Sequence, residues 1–455
     1  MLRHWQLACI EKAMFQFKRG QRHFFCQATP GAGKTRMSAE LSLRMLDANV
    51  IDLVICFAPS REVVQGFKST LELIVGKRFD GKLGSFGTAL TYQSMDYLDD
   101  NFWSLFQNYR VLAIFDEIHH CAEHESGLSN RWGQLIVQRI QDHASYNLAL
   151  SGTPWRSDEL GIALARYSTP EGKLICDYRY SLASAVADKV CRSPRILLLD
   201  NEDVHLTVSI EEDQQTRSFD SVAGLLGDSV VRYQDLLDNP QALRYMLEHA
   251  IARLDEVRQS VTDAAGLAIA STIEHAWQVA AVLESLGQQV VLVSSDSPDA
   301  RAEIQKFRIS SERWIVAVGM VAEGTDIPRI QVCCHLTRIR TELHFRQVLG
   351  RTLRRRGNAD AYAWMYVFAE PTLSEFASRV ADDLPEDLAV LNIVAASSKI
   401  AVEVTDEEHR FAEKIDVTNE VPQNSDQPES VELLMKQSLT LILSERFKYQ
   451  LLTIL

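Results

Sequence analysis

Ala28-Thr29-Pro30-Gly31-Ala32-Gly33-Lys34-Thr35 is the stretch from which the rest of the chain is read. Two glycines let backbone N–H groups approach an anion at a helix N-terminus, where unsatisfied donors and the helix dipole both favour negative charge. Lys34 then reaches the outer phosphates of a polyphosphate, and the Thr35 hydroxyl is placed to hold Mg²⁺. His23-Phe24-Phe25-Cys26-Gln27 reads as a strand and Thr35 to Leu46 as a helix, which is the strand–loop–helix setting such a cradle requires. Without that setting the string is only a glycine turn opening a helix. Ala28 stands where the commonest form of the motif has glycine.

About 80 residues on, Val111-Leu112-Ala113-Ile114-Phe115 runs into Asp116-Glu117-Ile118-His119. An apolar run delivering two carboxylates to a strand end fits a metal-holding Asp116 and a water-orienting Glu117; the bland alternative is a surface pair capping a loop. Leu53-Val54-Ile55-Cys56-Phe57 and Asn147-Leu148-Ala149-Leu150-Ser151 are further buried strands. Polar residues just after such strands are how open parallel sheets build ligand sites. A second block repeats the pattern at Gly266 to Ala270, Gln289 to Val293, Trp314 to Val318, Gln331 to His335 and Ala363 to Val367. The expected class is α/β, with parallel sheets flanked by helices in two tandem domains, residues 1–185 and 240–375.

Composition agrees with a soluble globular chain: 455 residues, 46% hydrophobic and 24% charged. The eight cysteines form no C-x-x-C pair and several sit in apolar runs, as Cys56 does, so they read as small buried hydrophobes in a reducing compartment. No leader and no membrane-spanning run is expected, and the location expected is cytoplasmic. The net charge of −14 is unevenly placed: residues 380–455 hold 15 acidic and 6 basic side chains, so most of the acidity lies in the tail. Charge therefore does not exclude a basic groove elsewhere.

Residues 186–239 read as an acidic linker insertion with weak strand patterns at Ile196–Leu199 and Val204–Ile210, followed by a helix from about Pro240 to Gln259. Residues 376–455 read as an acidic extension, partly disordered around Asp406-Glu407-Glu408 and Val421 to Pro428. Val431 to Leu455 regains helical periodicity, so a terminal helix is expected there.

Far from the cradle, Gln347-x-x-Gly350-Arg351-x-x-Arg354 places two arginines three residues apart, a spacing that puts them on one helix face. Planar guanidiniums suit a phosphoryl group whose charge spreads in the transition state. Read alone, Arg351 to Arg356 would be a solvated basic patch or a nucleic-acid contact.

Together these motifs resemble a superfamily 2 helicase of the DExH type, similar to the type III restriction-enzyme helicase-subunit group, from residue 1 to about 370. The resemblance implies two RecA-like domains, with ATP and Mg²⁺ bound between them. Arg3 and Gln6 resemble its adenine-reading motif, and Thr29 to Thr35 its phosphate loop. Asp116 and Glu117 resemble its metal and base site, with His119 as a nucleotide-state relay. Ser151-Gly152-Thr153-Pro154 resembles the motif coupling hydrolysis to movement. Gly319 to Pro328 resembles motif five, with Gly324 and Asp326 near the nucleotide and Thr325 near a strand phosphate. Gln347, Arg351 and Arg354 resemble motif six.

Arg61, Gln93, Thr272 and Thr325 are the expected strand contacts, through phosphates and sugars without base preference. The alternative for such residues is turn formation and helix capping. Tyr92 belongs to the same group with less weight, and Trp132 and Trp155 read equally as base stackers or packing. The expected function is an ATP-dependent helicase or translocase, with DNA favoured over RNA by resemblance to restriction-type enzymes and a role in repair, restriction or phage defence. RNA unwinding is one rival. The other is a non-unwinding ATPase subunit whose nuclease or defence-complex partner is a separate chain.

Overall fold

Val111–Asp116 is buried at every position. Its side chains alternate between two cores, with Leu112 and Ile114 on one side of the sheet and Val111, Ala113 and Phe115 on the other. A strand apolar on both faces belongs inside a parallel sheet covered by helices. That is what the protein, described here from a computed structural model, contains. The described residues are 2–123, 131–154, 161–169, 174–210, 213–294, 299–319, 327–357 and 359–382, with 389–390, 393–396, 400–405 and 437–454 beyond them.

Helix α1 (His4–Lys18) leads into strand β1 (His23–Ala28), and α2 (Lys34–Asp47) follows the glycine loop. Then come β2 (Leu53–Ala58), α3 (Arg61–Val75), β3 (Gly87–Thr91), β4 (Val111–Asp116), β5 (Tyr146–Ser151) and β6 (Tyr178–Tyr180). The six strands form one wholly parallel sheet in the order β6-β1-β5-β4-β2-β3. Asp116 and Ser151 thus end adjacent strands, and β5 lies directly beside the strand that feeds the glycine loop.

The second half runs β7 (Ser193–Asn201), β8 (Val204–Ile210), β9 (Asp213–Phe219), α4 (Pro240–Arg258), β10 (Ala265–Ala270), α5 (Ile273–Ser285), β11 (Val290–Val293) and β12 (Trp314–Ala317). It continues through β13 (Ile330–Leu336), α6 (Glu342–Thr352), β14 (Tyr362–Phe368), α7 (Pro371–Asp382), β15 (Ile400–Thr405), β16 (Gln437–Leu443) and β17 (Phe447–Ile454). Its main sheet has the order β11-β12-β10-β13-β14-β7-β17, parallel as far as β7 and antiparallel at β17. Helix α4 begins as the sequence predicts: Asn239 caps it by accepting from the N–H groups of Gln241 and Ala242, and Pro240 takes the first turn. Among the described residues no helix is long and apolar enough to cross a membrane.

Two expectations need correction. Residues 437–454 are not helical but form β16 and β17. The physical reason is period: Leu439, Leu441 and Leu443 alternate with polar or outward residues, and this row faces Val204, Leu206 and Val208 of β8, with which β16 pairs antiparallel. The expected linker and tail are also not separate appendages. β7 joins the second sheet beside β14, β17 pairs with β7, and β9-β8-β16-β15 form a small antiparallel sheet of their own. Two buried amides sew this together: Asn201 Nδ2 donates to the Ser444 carbonyl at 2.8 Å and Asn239 Nδ2 to the Leu441 carbonyl at 3.0 Å.

Candidate active site

The loop after β1 turns through two left-handed residues, Gly31 (φ 80°) and Gly33 (φ 94°). Gly33 is the N-cap residue of α2, and a Cβ there would sit 2.9 Å from Gln6 Nε2. Glycine is needed at that point for both backbone shape and space. Gln6 Nε2 donates to the Gly33 carbonyl at 2.9 Å, and Arg3 Nη1 donates to the Ala32 carbonyl at 2.6 Å. The backbone N–H of Arg3 in turn donates to Gln6 Oε1 at 2.8 Å, fixing the two side chains together. Thr29 is buried and its N–H donates to the Tyr180 carbonyl on β6, while Thr35 occupies the second position of α2, half-buried. Trp5 stacks on Tyr180 with ring centres 4.8 Å apart, anchoring α1 under the loop.

Lys34 is buried; its Nζ donates to the Ala28 carbonyl at 3.2 Å and lies 3.1 Å from Glu117 Oε1. The other carboxylate oxygen of Glu117 accepts from the Gly152 N–H at 3.1 Å and lies 3.5 Å from His119 Nδ1. Glu117 itself has φ 49° and ψ 52°. A non-glycine residue in the left-handed region stores strain of roughly 1–2 kcal/mol, and it persists because lysine, histidine and a backbone amide hold the side chain. Burial acts to raise the Glu117 carboxyl, but Lys34 and His119 outweigh it and hold it below its ordinary value. Burial raises Asp116, with the neighbouring Glu117 charge adding to the shift and Lys34 opposing it.

Asp116 Oδ1 has no hydrogen-bond partner among the described residues. A buried carboxylate oxygen without a donor is costly unless something else meets it. A divalent cation held by Asp116 and the Thr35 hydroxyl fits that deficit, and a polyphosphate on the N-terminus of α2 fits the donors above it. Across the adjacent strand end, His119 Nδ1 and Ser151 Oγ share a 2.9 Å hydrogen bond, and the Thr153 N–H donates to the same hydroxyl at 3.1 Å. The carboxylate, the histidine and the Ser151–Thr153 turn are therefore one connected network.

The second half of the chain closes on this loop. Gly350, in the last turns of α6, packs against Pro30 so tightly that a Cβ on it would lie 2.8 Å from Pro30 Cβ. Arg354 pairs by backbone with Cys191, and its Cγ comes within 3.1 Å of where a Cβ on Gly31 would be. The Cys191 thiol donates to the Pro30 carbonyl at 3.6 Å. Burial lowers Arg354 to about 10, still charged near neutral pH. Gln347 and Arg351 sit on α6, both part-buried. One expectation fails in detail: α6 ends at Thr352, so Arg351 and Arg354 do not share a helix face. Arg351 belongs to the last helical turn and Arg354 to the strand-like bridge that follows.

The expected strand contacts are not all brought to one place. Arg61 and Gln93 are exposed, at the start of α3 and just after β3. Thr272 is engaged as the N-cap of α5, its hydroxyl accepting from the His275 N–H at 3.1 Å. Gly324, Thr325, Asp326 and Trp155 lie outside the described residues. Tyr92 is buried, donating from its hydroxyl to the Asp116 carbonyl at 2.8 Å and stacking on Trp132, so both aromatic rings are packing. Tyr92 as a support of β4 escaped the sequence reading, and no local pattern marks it.

Residues 1–156 match the family described as type III restriction enzyme, res subunit. Over this first third, the chain is similar to the superfamily 2 helicase subunits of that family. The uncharacterized protein ML1624 of Mycobacterium leprae (strain TN) is 30% identical over 395 residues, covering 83% of this chain and 64% of that protein. The chain thus spans less than two thirds of that relative's length. The DNA 3'-5' translocase XPB2 of Sulfurisphaera tokodaii is 24% identical over 388 residues, covering 78% of this chain and 79% of that protein. Among solved structures, a fragment of an HsdR subunit of a type I restriction enzyme from Vibrio vulnificus YJ016 superposes with a TM-score of 0.59 at 15% identity. That superposition covers 84% of this chain and 67% of the fragment, and it shows the RecA-like helicase fold shared by the two.

Proposed function

We propose that this protein is an ATP-driven nucleic-acid motor that hydrolyses ATP between its two domains and moves along DNA. The observation that carries the reading is the packing of Pro30 and Gly31 against Gly350 and Arg354, which brings residues of two separate sheets to one site. Similarity to a DNA translocase over most of both chains favours DNA as the track; nucleic acid of either kind remains the partner class.

Each residue then has a task. The N–H groups at the start of α2, with Lys34, hold the phosphates, and Arg3 and Gln6 stiffen the loop from below and read the base. Thr35 and Asp116 would hold Mg²⁺, which when bound neutralises phosphate charge and orients the terminal group. Lys34 and Glu117 neutralise each other in this structure. Transfer of Lys34 to a phosphate leaves Glu117 Oε1 to take a proton from the attacking water, with Oε2 still fixed by the Gly152 N–H. Arg351 and Arg354 meet the charge that spreads over the terminal phosphate oxygens, with Gln347 beside them. His119 transmits the position of Glu117 to Ser151 and Thr153, and so to the surface that grips the strand through Arg61, Gln93 and Thr325.

ATP turnover measured against single-stranded DNA, duplex DNA and RNA tests this directly. Stimulation by DNA above RNA is expected; stimulation by RNA alone overturns the choice of track. A chain with no stimulated turnover, active only when co-purified with a nuclease subunit, would favour the partner-dependent reading. Strand displacement compared with triplex displacement then separates unwinding from translocation.

A further inference from the structure

Arg192 lies outside every motif described above, yet it is wholly buried. Its Nε donates to Asp360 Oδ1 at 2.5 Å, and Nη2 donates to Asp360 Oδ2 at 2.8 Å and to the Pro328 carbonyl at 2.6 Å. Nη1 donates to the carbonyls of Ile330 and Thr352, both at 2.5 Å. Those bonds use all five donors that a guanidinium possesses. Burial of a cation is tolerated on these terms only, paired and saturated.

The acceptors belong to distinct pieces of the catalytic half. Pro328 and Ile330 form the exit of the motif-five string; Thr352 is the last residue of α6, which carries Arg351. Asp360 also accepts from the Arg356 N–H at 2.9 Å, closing the turn that directly follows Arg354. The Arg192 backbone N–H donates to the Leu353 carbonyl at 2.8 Å, and the preceding residue, Cys191, bridges Arg354 and reaches Pro30. A helix C-terminus leaves carbonyls without partners and favours a cation nearby, and Arg192 supplies both needs at Thr352.

We propose that Arg192 is a positioning residue for hydrolysis. Building on the ATP-motor reading, it locks the exit of motif five, the end of α6 and the Arg354 turn into one body, so that both arginines arrive at the nucleotide in register. A lysine keeps the charge but has three donors and no planar fork, so it cannot hold four partners at once.

The test uses the full chain carrying R192K, R354A, or both, with D360N as a second break of the same clamp. Steady-state ATPase in saturating DNA is read with titrations of ADP and of ADP plus aluminium fluoride. Expected for R192K is a kcat about 10–100-fold lower, with KM for ATP and ADP affinity within about twofold of wild type. Its preference for the aluminium fluoride complex should fall with kcat, and the double variant should lose no more than about twofold beyond R354A, since residues acting as a unit are not additive. A folded R192K with unchanged kcat overturns the proposal, as do fully additive losses. Failure of both R192K and D360N to fold assigns Arg192 to stability alone and equally overturns it. Wild-type protein without ATPase activity would instead overturn the motor reading on which this rests.

Discussion

The first-domain side of the cleft is held by neighbours. Lys34, Glu117, Ser151 and Gly152 end or follow strands that lie side by side in one parallel sheet, and their bonds run directly from one strand end to the next. The second-domain side is held from a distance: Arg192 reaches Asp360, 168 residues away, and β7, which follows it, pairs with β17 at the far end of the described chain. The first arrangement builds a site that is formed whenever its sheet is formed. The second makes the position of two arginines depend on contacts between residues far apart in the chain, each of which closes a long loop.

Breaking the first lip should have the largest effect. Lys34→Ala removes the charge proposed to meet the phosphates and also the partner of Glu117, so kcat/KM for ATP is expected to fall by at least about 10³-fold, with nucleotide affinity lost as well. An isothermal titration with ATP beside the turnover assay would show both; retained affinity would move phosphate binding away from the loop.

The second lip should respond differently. Arg351→Ala is expected to lower kcat roughly 10²-fold while ATP affinity changes less than about threefold, because the proposed contact is one made in the transition state. A large affinity loss with an unchanged maximal rate would place Arg351 in ground-state binding and erase the contrast between the lips.

This contrast also governs what could be read from the sequence. The strand–loop–helix at residues 23–47 and the apolar run into Asp116 are local patterns, and the structure has both where the periodicity puts them. Gly350 could be singled out as part of a motif, but the reason for it, a backbone that must pass Pro30, exists only in three dimensions. Arg192 gives no local signal, since a buried arginine and a solvated one look alike in a sequence. The tail reads as a helix from sequence because apolar positions at 439, 441, 443 and 447 suit either period, and the partner that selects the strand, β8, lies more than 200 residues earlier. Spacing alone puts Arg354 on the helix face, because nothing in the sequence marks where α6 stops; beyond Thr352 the backbone of Arg354 pairs with Cys191 instead.

A smaller change sharpens the point about distant closure. Asn201 is fully buried, donating to the Ser444 carbonyl and accepting from the Ser444 hydroxyl and the Asp203 N–H. Asn201→Ala leaves those groups buried without partners, a cost of about 2 kcal/mol. Denaturant unfolding followed by the fluorescence of Trp314 and Trp364, both in the second sheet, should register that loss, while a first-domain probe such as Trp5 shifts less. Equal shifts at all three would mean that the two halves unfold as one.

The least disruptive variant decides between two uses of one hydroxyl. Thr272 caps α5 in this structure, and such a cap contributes about 1 kcal/mol. Thr272→Ala should therefore lower stability by that amount, and Thr272→Asn, which preserves a capping oxygen, should restore it. If capping is the whole role, polynucleotide affinity stays within about twofold in both, because the free energy of a lost cap does not enter binding by a domain that remains folded. If the hydroxyl grips a phosphate, Thr272→Ala weakens affinity at unchanged helix stability and asparagine fails to rescue it. The second result would return Thr272 to the strand-contacting surface from which its bond to His275 removes it.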